Sequence, residues 1–314
     1  MSQGNTIRHL LDITDLAVDE LVQVLALAVS EPSTLGRPLT SATGVPLGAA
    51  LIFEKPSNRT RQSMEMAVVQ LGGHPVYTRG EEVGFDVREP VEDIGHILNG
   101  YHGIVAARVF RHEVVQRLAA VSTIPVVNML SDRSHPLQGL ADALTMTAEF
   151  GSLNGRTVAY VGDYNNVARS LGEVTLMLGG NFALACPEGY DASADEQARI
   201  AALGLGSVVQ FRDPADAVRG AHAVHTDTWV SMGQEDEKAE RLRIFGGYTV
   251  TTSLMSLAAS DAIFMHCLPA YRGYEVEAAV IDGPRSRVFP QGHNRLHSAR
   301  GAMAFLLNSS KAGV

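Results

Sequence analysis

Cysteine is scarce: Cys186 and Cys267 are the two in 314 residues. Two thiols so far apart make neither a disulfide framework nor a zinc ligand set, and a reducing, cytoplasmic compartment follows as the default. No apolar run approaches the roughly 18 to 20 residues needed to cross a bilayer, so no membrane partner is expected. Residues Met1 to Ile13 are polar and lack the apolar centre of a secretory signal. Basic charge is also short. The formal net charge is −9, which disfavours a nucleic-acid partner, because such binding leans on a basic surface. Repeats of solenoid period and low-complexity segments are absent. So is the Gly-x-x-x-x-Gly-Lys-Ser/Thr phosphate loop. What is present, 46% hydrophobic and 19% charged residues, is a globular composition with length for about two domains.

Short apolar runs alternate with helical patterns along the whole chain. The spacing predicts one helix over residues 5–30, capped by Asp15 or Asp19, then a loop from Glu31 to Thr43. Strands are expected at Ala49–Phe53, His74–Tyr77, Gly103–Ala107, Pro125–Met129, Thr157–Val161, Phe182–Ala185, Ser207–Phe211, Ala223–Thr226 and Ala262–His266. Arg79 to Arg88 reads as a mobile loop, and helices are expected at about Leu140–Phe150, Asp236–Ile244 and Asn294–Leu307. A new strand–helix series begins after Gly151–Gly155, which places a domain boundary there. The fold class is therefore α/β: two doubly wound parallel-sheet domains, helices on both faces. Ligands in such sheets bind beyond the carboxyl ends of the strands. Ser57, Arg108, His135, Asn166, Asp227 and Cys267 all fall at such ends. Because they come from both halves, the expected active site is the interdomain cleft.

The densest cluster is Ser57-Asn58-Arg59-Thr60-Arg61. It follows a buried strand and a turn, and Ser57 stands where a helix N-cap belongs. Spare backbone N–H groups, two hydroxyls and two guanidinium forks at one helix start suit a small phosphorylated anion. The competing reading is a capped surface helix with solvated arginines. His135 and Gln138 share a helix face, and the imidazole there suits a carbonyl oxygen beside the phosphate, unless it merely caps or packs. Asp227 and Ser231 offer a carboxylate and a hydroxyl to an α-ammonium group. Asn166, in a turn at a helix start, offers its amide to an α-carboxylate. Taken singly, both also fit an ordinary strand-end loop and an Asx cap. Cys267 follows His266, but neighbours on a strand point to opposite faces, so no thiol–imidazole dyad is expected. Cys186 is expected in the core. Gly162-Asp163-Tyr164-Asn165-Asn166-Val167 lacks the second and third glycines of a dinucleotide loop.

These motifs, in this order, resemble the ornithine carbamoyltransferases. The resemblance rests on Ser57 to Arg61, His135-Pro136-Leu137-Gln138, Asp227 to Gly233, His266-Cys267-Leu268-Pro269 and Asn294-Arg295-Leu296-His297. It covers nearly the whole chain. The first two motifs are shared with aspartate carbamoyltransferases; the Asp227 and Cys267 motifs point to ornithine.

The resemblance implies that residues 1–150, joined by a C-terminal helix at about 294–314, bind carbamoyl phosphate, and that residues 151–293 bind ornithine. Ser57, Asn58, Arg59, Thr60, Arg108, His135 and Gln138 would hold carbamoyl phosphate, and Asn166, Asp227, Ser231 and Met232 would hold L-ornithine. Cys267, Leu268 and Arg295 would also bind carbamoyl phosphate, lining the point where the two substrates meet, with Arg108, His135, Cys267 and Arg295 catalytic. The implied reaction gives citrulline in arginine biosynthesis, with no metal or organic cofactor, in a homotrimer or an assembly of trimers. Lysine, putrescine or N-acetylornithine as acceptor, a catalytically silent binding subunit, and a hydrolase using Cys267 are the alternatives. One departure stands out. The loop that carries a glutamine in the family reads Glu81-Glu82-Val83-Gly84 here, and a carboxylate repels phosphate unless it turns away or pairs with an arginine.

Overall fold

The computed structural model describes residues 7–230 and 235–311. The chain divides into two compact units. One runs to Leu140 and resumes at Arg295; the other is Ala141–Asn294.

The first unit holds α1 (Val18–Val29), β1 (Gly48–Phe53), α2 (Asn58–Gln70), β2 (His74–Arg79), α3 (Gly80–Val83), α4 (Val91–Tyr101), β3 (His102–Arg108), α5 (His112–Val121) and β4 (Val126–Leu130). Its sheet is parallel throughout, in the order β2-β1-β3-β4. Every residue from Ala49 to Phe53 is buried, which requires cover on both faces of the sheet and explains why β1 reads as a continuous apolar run. A helix, α6 (Pro136–Phe150), carries the division between the units inside it.

The second unit continues with β5 (Thr157–Val161), α7 (Asn166–Met177), β6 (Asn181–Ala185), α8 (Ala194–Ala201), β7 (Val208–Phe211), α9 (Pro214–Val218), β8 (Ala223–Thr226), α10 (Lys238–Phe245), α11 (Thr252–Met255), β9 (Ile263–His266), α12 (Ala278–Ile281) and the start of α13 (Val288–Lys311). The sheet order is β7-β6-β5-β8-β9, again all parallel. Side chains alternate faces along each strand, and two cores result. Ala159, Val161, Ala185, Val224 and Phe264 belong to one, Val158, Tyr160, Phe182, Leu184 and Met265 to the other. Cys186 is buried in the second. Among the described residues, no helix is long and apolar enough to cross a membrane.

The amino-terminal segment corrects the expectation of one helix over residues 5–30. Leu10 instead pairs alongside β4: its N–H donates to the Val126 carbonyl at 2.9 Å and its carbonyl accepts from Asn128 N–H at 2.8 Å. Asp12 then caps a single turn of 3₁₀ helix at Ile13–Asp15. α1 starts only at Val18, where Glu20 reaches back to the Ala17 N–H at 2.9 Å, so neither Asp15 nor Asp19 is its cap. Arg79–Arg88 is not all loop, since α3 forms within it. Both long helices begin earlier than expected, at Pro136 and Val288, because proline in a first helical turn lacks only an N–H that would have no intrahelical partner.

Gly301 marks a close helix approach in the first unit. A Cβ there would lie 2.6 Å from the Val24 carbonyl oxygen and 2.8 Å from the Ala28 nitrogen of α1. Alanine favours an exposed helix interior over glycine by about 1 kcal/mol, but here the backbone contact decides. Gly301→Ala is expected to destabilise the chain by about 1–3 kcal/mol, read as a lowered denaturant midpoint; a stabilised variant would refute the close approach.

Candidate active site

Both sheets reverse their strand order once. In the first, the chain leaves β1 for the edge strand β2 and returns to β3; in the second, it leaves β5 for β6 and β7 and returns to β8. A crevice opens at the carboxyl edge where such a reversal occurs. The first contains Ser57 and Arg108, the second Asn165, Asn166 and Asp227.

Ser57 caps α2, its Oγ accepting the Thr60 N–H at 3.3 Å and donating to Thr60 Oγ1 at 3.1 Å. The first turn of α2 therefore presents its remaining donors, and Arg59 on that turn is half-buried. Arg108 ends β3 and is buried. The Glu54 N–H donates to its carbonyl at 2.9 Å, and Glu54 Oε2 accepts the Phe110 N–H at 2.8 Å, which pins the β1–α2 turn to the end of β3. Arg295 of α13, buried, donates to Gln138 Oε1 at 2.7 Å and to Thr60 Oγ1 at 3.2 Å. Thus the Ser57 motif, the His135-x-x-Gln138 motif and Arg295 converge within one unit. Burial, reinforced by the Arg295 and Arg108 charges, pushes the His135 imidazole well below its usual pKa, so the ring is neutral.

Two members of the Ser57–Arg61 stretch already have side-chain partners. Arg61 pairs with Glu65 at 2.8 Å and lies 3.8 Å over the Tyr77 ring. Asn58 is exposed and accepts from Gln62. Lys55 carries no motif and was not expected at the site. Its ammonium lies 4.7 Å from the Phe110 ring, and burial, then the Arg108 charge, pull its pKa down. Glu82 pairs with Arg79 at 3.4 Å and also caps α3 by accepting the Arg79 N–H.

In the second unit Asp227 is buried just past β8. Oδ1 accepts the Thr228 N–H at 2.8 Å and the Cys267 thiol at 3.0 Å; Oδ2 accepts the Asn165 amide at 2.8 Å. Asn165, and not Asn166, is the cap of α7, accepting from the Val167 and Ala168 N–H groups. Asn166 is the first helical residue. Arg241 of α10 donates to Asp163 at 2.8 Å and to the Trp229 carbonyl at 3.1 Å, bracing both loops. Ser231 and Met232 lie outside the described residues.

No dyad forms between His266 and Cys267. The imidazole faces Glu275 at 3.2 Å through Nε2 and accepts the Leu268 N–H at 2.9 Å through Nδ1, while the thiol faces Asp227. Leu268 adopts φ 58° before a cis bond to Pro269, and its side chain packs against the apolar core. Asp227, His266 and Cys267 place a carboxylate oxygen, an imidazole nitrogen and a sulfur within 4.8 Å of one another. These groups already satisfy one another and their neighbours by hydrogen bonds.

Two family models match successive parts of the chain. The family model described as "Aspartate/ornithine carbamoyltransferase, carbamoyl-P binding domain" matches residues 8–148, and the one described as "Aspartate/ornithine carbamoyltransferase, Asp/Orn binding domain" matches residues 154–306. The ornithine carbamoyltransferase of Acidothermus cellulolyticus is 44% identical over 97% of this chain and 98% of its own. That of Thermus thermophilus is 49% identical over 82% of this chain and 84% of its own. The solved ornithine carbamoyltransferase of Pyrococcus furiosus has a TM-score of 0.89 and 39% identity, covering 96% of this chain and 97% of that one.

The neutral His135 has a direct test. At pH 6.5, where an ordinary histidine is about half protonated, its ring should show the ¹⁵N shifts of the neutral form. The fold binds this proton less readily than the unfolded chain, so His135 contributes stability above about pH 6.5 that is lost on acidification. A half-titrated His135 at pH 6.5 would contradict the burial argument.

Proposed function

The chain belongs to the aspartate/ornithine carbamoyltransferase family, and we infer that it is an ornithine carbamoyltransferase, transferring the carbamoyl group of carbamoyl phosphate to the δ-amine of L-ornithine to give L-citrulline and phosphate. The observation that carries the acceptor reading is Asp227, a buried carboxylate at the reversal point of the second sheet, next to the amino terminus of α7. A carboxylate there suits an α-ammonium group and the helix start suits an α-carboxylate. Asn166, Asp227, Ser231 and Met232 are assigned to that amino acid.

Phosphate is assigned to Ser57, Asn58, Arg59, Thr60 and Arg108 at the α2 terminus. His135, Thr60 and Arg295 are assigned to the carbonyl oxygen, where a neutral imidazole donates one N–H as negative charge builds. Gln138 orients Arg295, and Cys267 and Leu268 are assigned to the carbamoyl group where it meets the amine. Attack forms the N–C bond and the C–O bond to phosphate breaks. The amine must lose a proton and the leaving phosphate oxygen must gain one, so the chemistry balances between the substrates. Most of the acceleration is then positioning and oxyanion stabilisation, each worth several kcal/mol.

An assay of transfer to ornithine, lysine, putrescine and N-acetylornithine tests this. Ornithine should lead, and putrescine outperforming it would overturn the acceptor assignment. Replacing Arg59 by alanine should raise the KM for carbamoyl phosphate about tenfold or more, the value of a charged hydrogen bond. Near-normal turnover at ordinary substrate levels would remove its role.

A cytoplasmic homotrimer completes the reading. Met66 and Val69 on α2 and Val76 on the edge strand β2 are exposed at 48%, 50% and 38%, an apolar strip beside an open strand edge that suits a second copy. Sedimentation should return three subunits or a multiple; a single-subunit mass under assay conditions would sink this part alone.

A further inference from the structure

β9 is the edge strand of the second sheet. On its inner side it pairs with β8, with His266 in register with Thr226. On its open side, Phe264 N–H donates to the Arg285 carbonyl at 2.9 Å and the Arg287 N–H donates to the Phe264 carbonyl at 2.8 Å. The next donor on that side is the His266 N–H. It finds no further strand; it donates to Gln291 Oε1 of α13 at 2.8 Å. The buried glutamine side chain thus supplies the rung that ends β9, one residue before Cys267.

The other end of the same amide is also taken. Gln291 Nε2 donates to Asp142 Oδ1 of α6 at 2.7 Å and faces His225 Nε2 of β8 at 3.1 Å. All four groups, Asp142, His225, His266 and Gln291, have no solvent exposure. The amide cannot turn over, because that would set its oxygen against the carboxylate and its N–H₂ against the His266 N–H. His225 stands two residues before Asp227. One side chain therefore ties the ends of β8 and β9 to α6, one residue before Cys267 and two before Asp227.

We propose that Gln291 is a positioning residue for the amino-acid substrate: it sets where the Cys267–Leu268 turn leaves the sheet relative to Asp227. The inference rests on reading Asp227 as the ornithine side and Cys267 and Leu268 as lining the meeting point of the two substrates. Inorganic phosphate, whose assigned residues all belong to the first unit, should be indifferent to it.

The test exchanges the hydrogen-bond polarity. Gln291→Glu sets a carboxylate against Asp142. Adding Asp142→Asn restores a donor: the new amide on α6 donates to the new carboxylate on α13, which still accepts the His266 N–H. For Q291E, the KM for ornithine should rise about tenfold or more, a lost buried hydrogen bond transmitted to the site. The inhibition constant of inorganic phosphate should stay within about twofold. Alkylation of Cys267 by iodoacetamide should change severalfold, with Cys186 silent because it is buried. The double variant should return ornithine KM and alkylation rate to within about threefold of the parent.

An unchanged ornithine KM in folded Q291E, or a rise matched by the inhibition constant of inorganic phosphate, would overturn the proposal. If Q291E does not fold, the double variant decides alone. A folded double variant with ornithine KM still raised tenfold refutes the proposal, and one near the parent supports it. A parent protein that forms no citrulline from ornithine refutes the functional reading instead, and the alkylation rates still judge Gln291.

Discussion

Parallel strands must all end at the same edge, and a parallel sheet whose order reverses leaves two neighbouring strand ends whose following chains part in opposite directions. That constraint operates twice here. In the first sheet it sets the α2 amino terminus beside the end of β3, so Ser57, Thr60 and Arg108 share a crevice. In the second it sets the α7 amino terminus beside the end of β8, so Asn165 can hold Asp227. Each helix start contributes partial positive charge without any side chain needing to carry it. The opposite character of the crevices then comes from the side chains, arginine in one and carboxylate in the other.

The electrostatics of the first crevice follow from burial. Arg108, Arg295 and His135 lie close together with little solvent. A third cation among them would be costly, and the imidazole is the group able to shed its charge. The ring therefore retains a hydrogen-bond donor while losing the ability to compete for an anion. In the second crevice, Asp227 accepts from an amide, a backbone N–H and a thiol. These are neutral donors, and between them they hold the carboxylate in place.

Much of this was legible because site residues sit where the chain punctuates itself. Ser57 after Pro56, His135 before Pro136 and Asp227 after an apolar strand each mark a strand end or helix start. The central strands were legible because burial on both faces leaves an unbroken apolar run. Pairings between distant segments left no such mark. Leu10 looks like part of a helix until Val126 and Asn128 claim its backbone. Whether Asn165 or Asn166 caps α7 depends on where β5 stops, which periodicity places only to within a residue or so. Gln291 and Glu275 carry no local motif, since their meaning lies in His266, far away in sequence.

Leu268 holds a left-handed backbone at φ 58°, and its side chain packs against the core around Val250 and Phe264. Glycine would suit that backbone better by about 1 kcal/mol. A leucine there means that stiffness outweighs comfort. A sequence optimised for relaxed torsions alone would place glycine at this corner, and would forfeit both the leucine's packing and a defined perch for the thiol beside it.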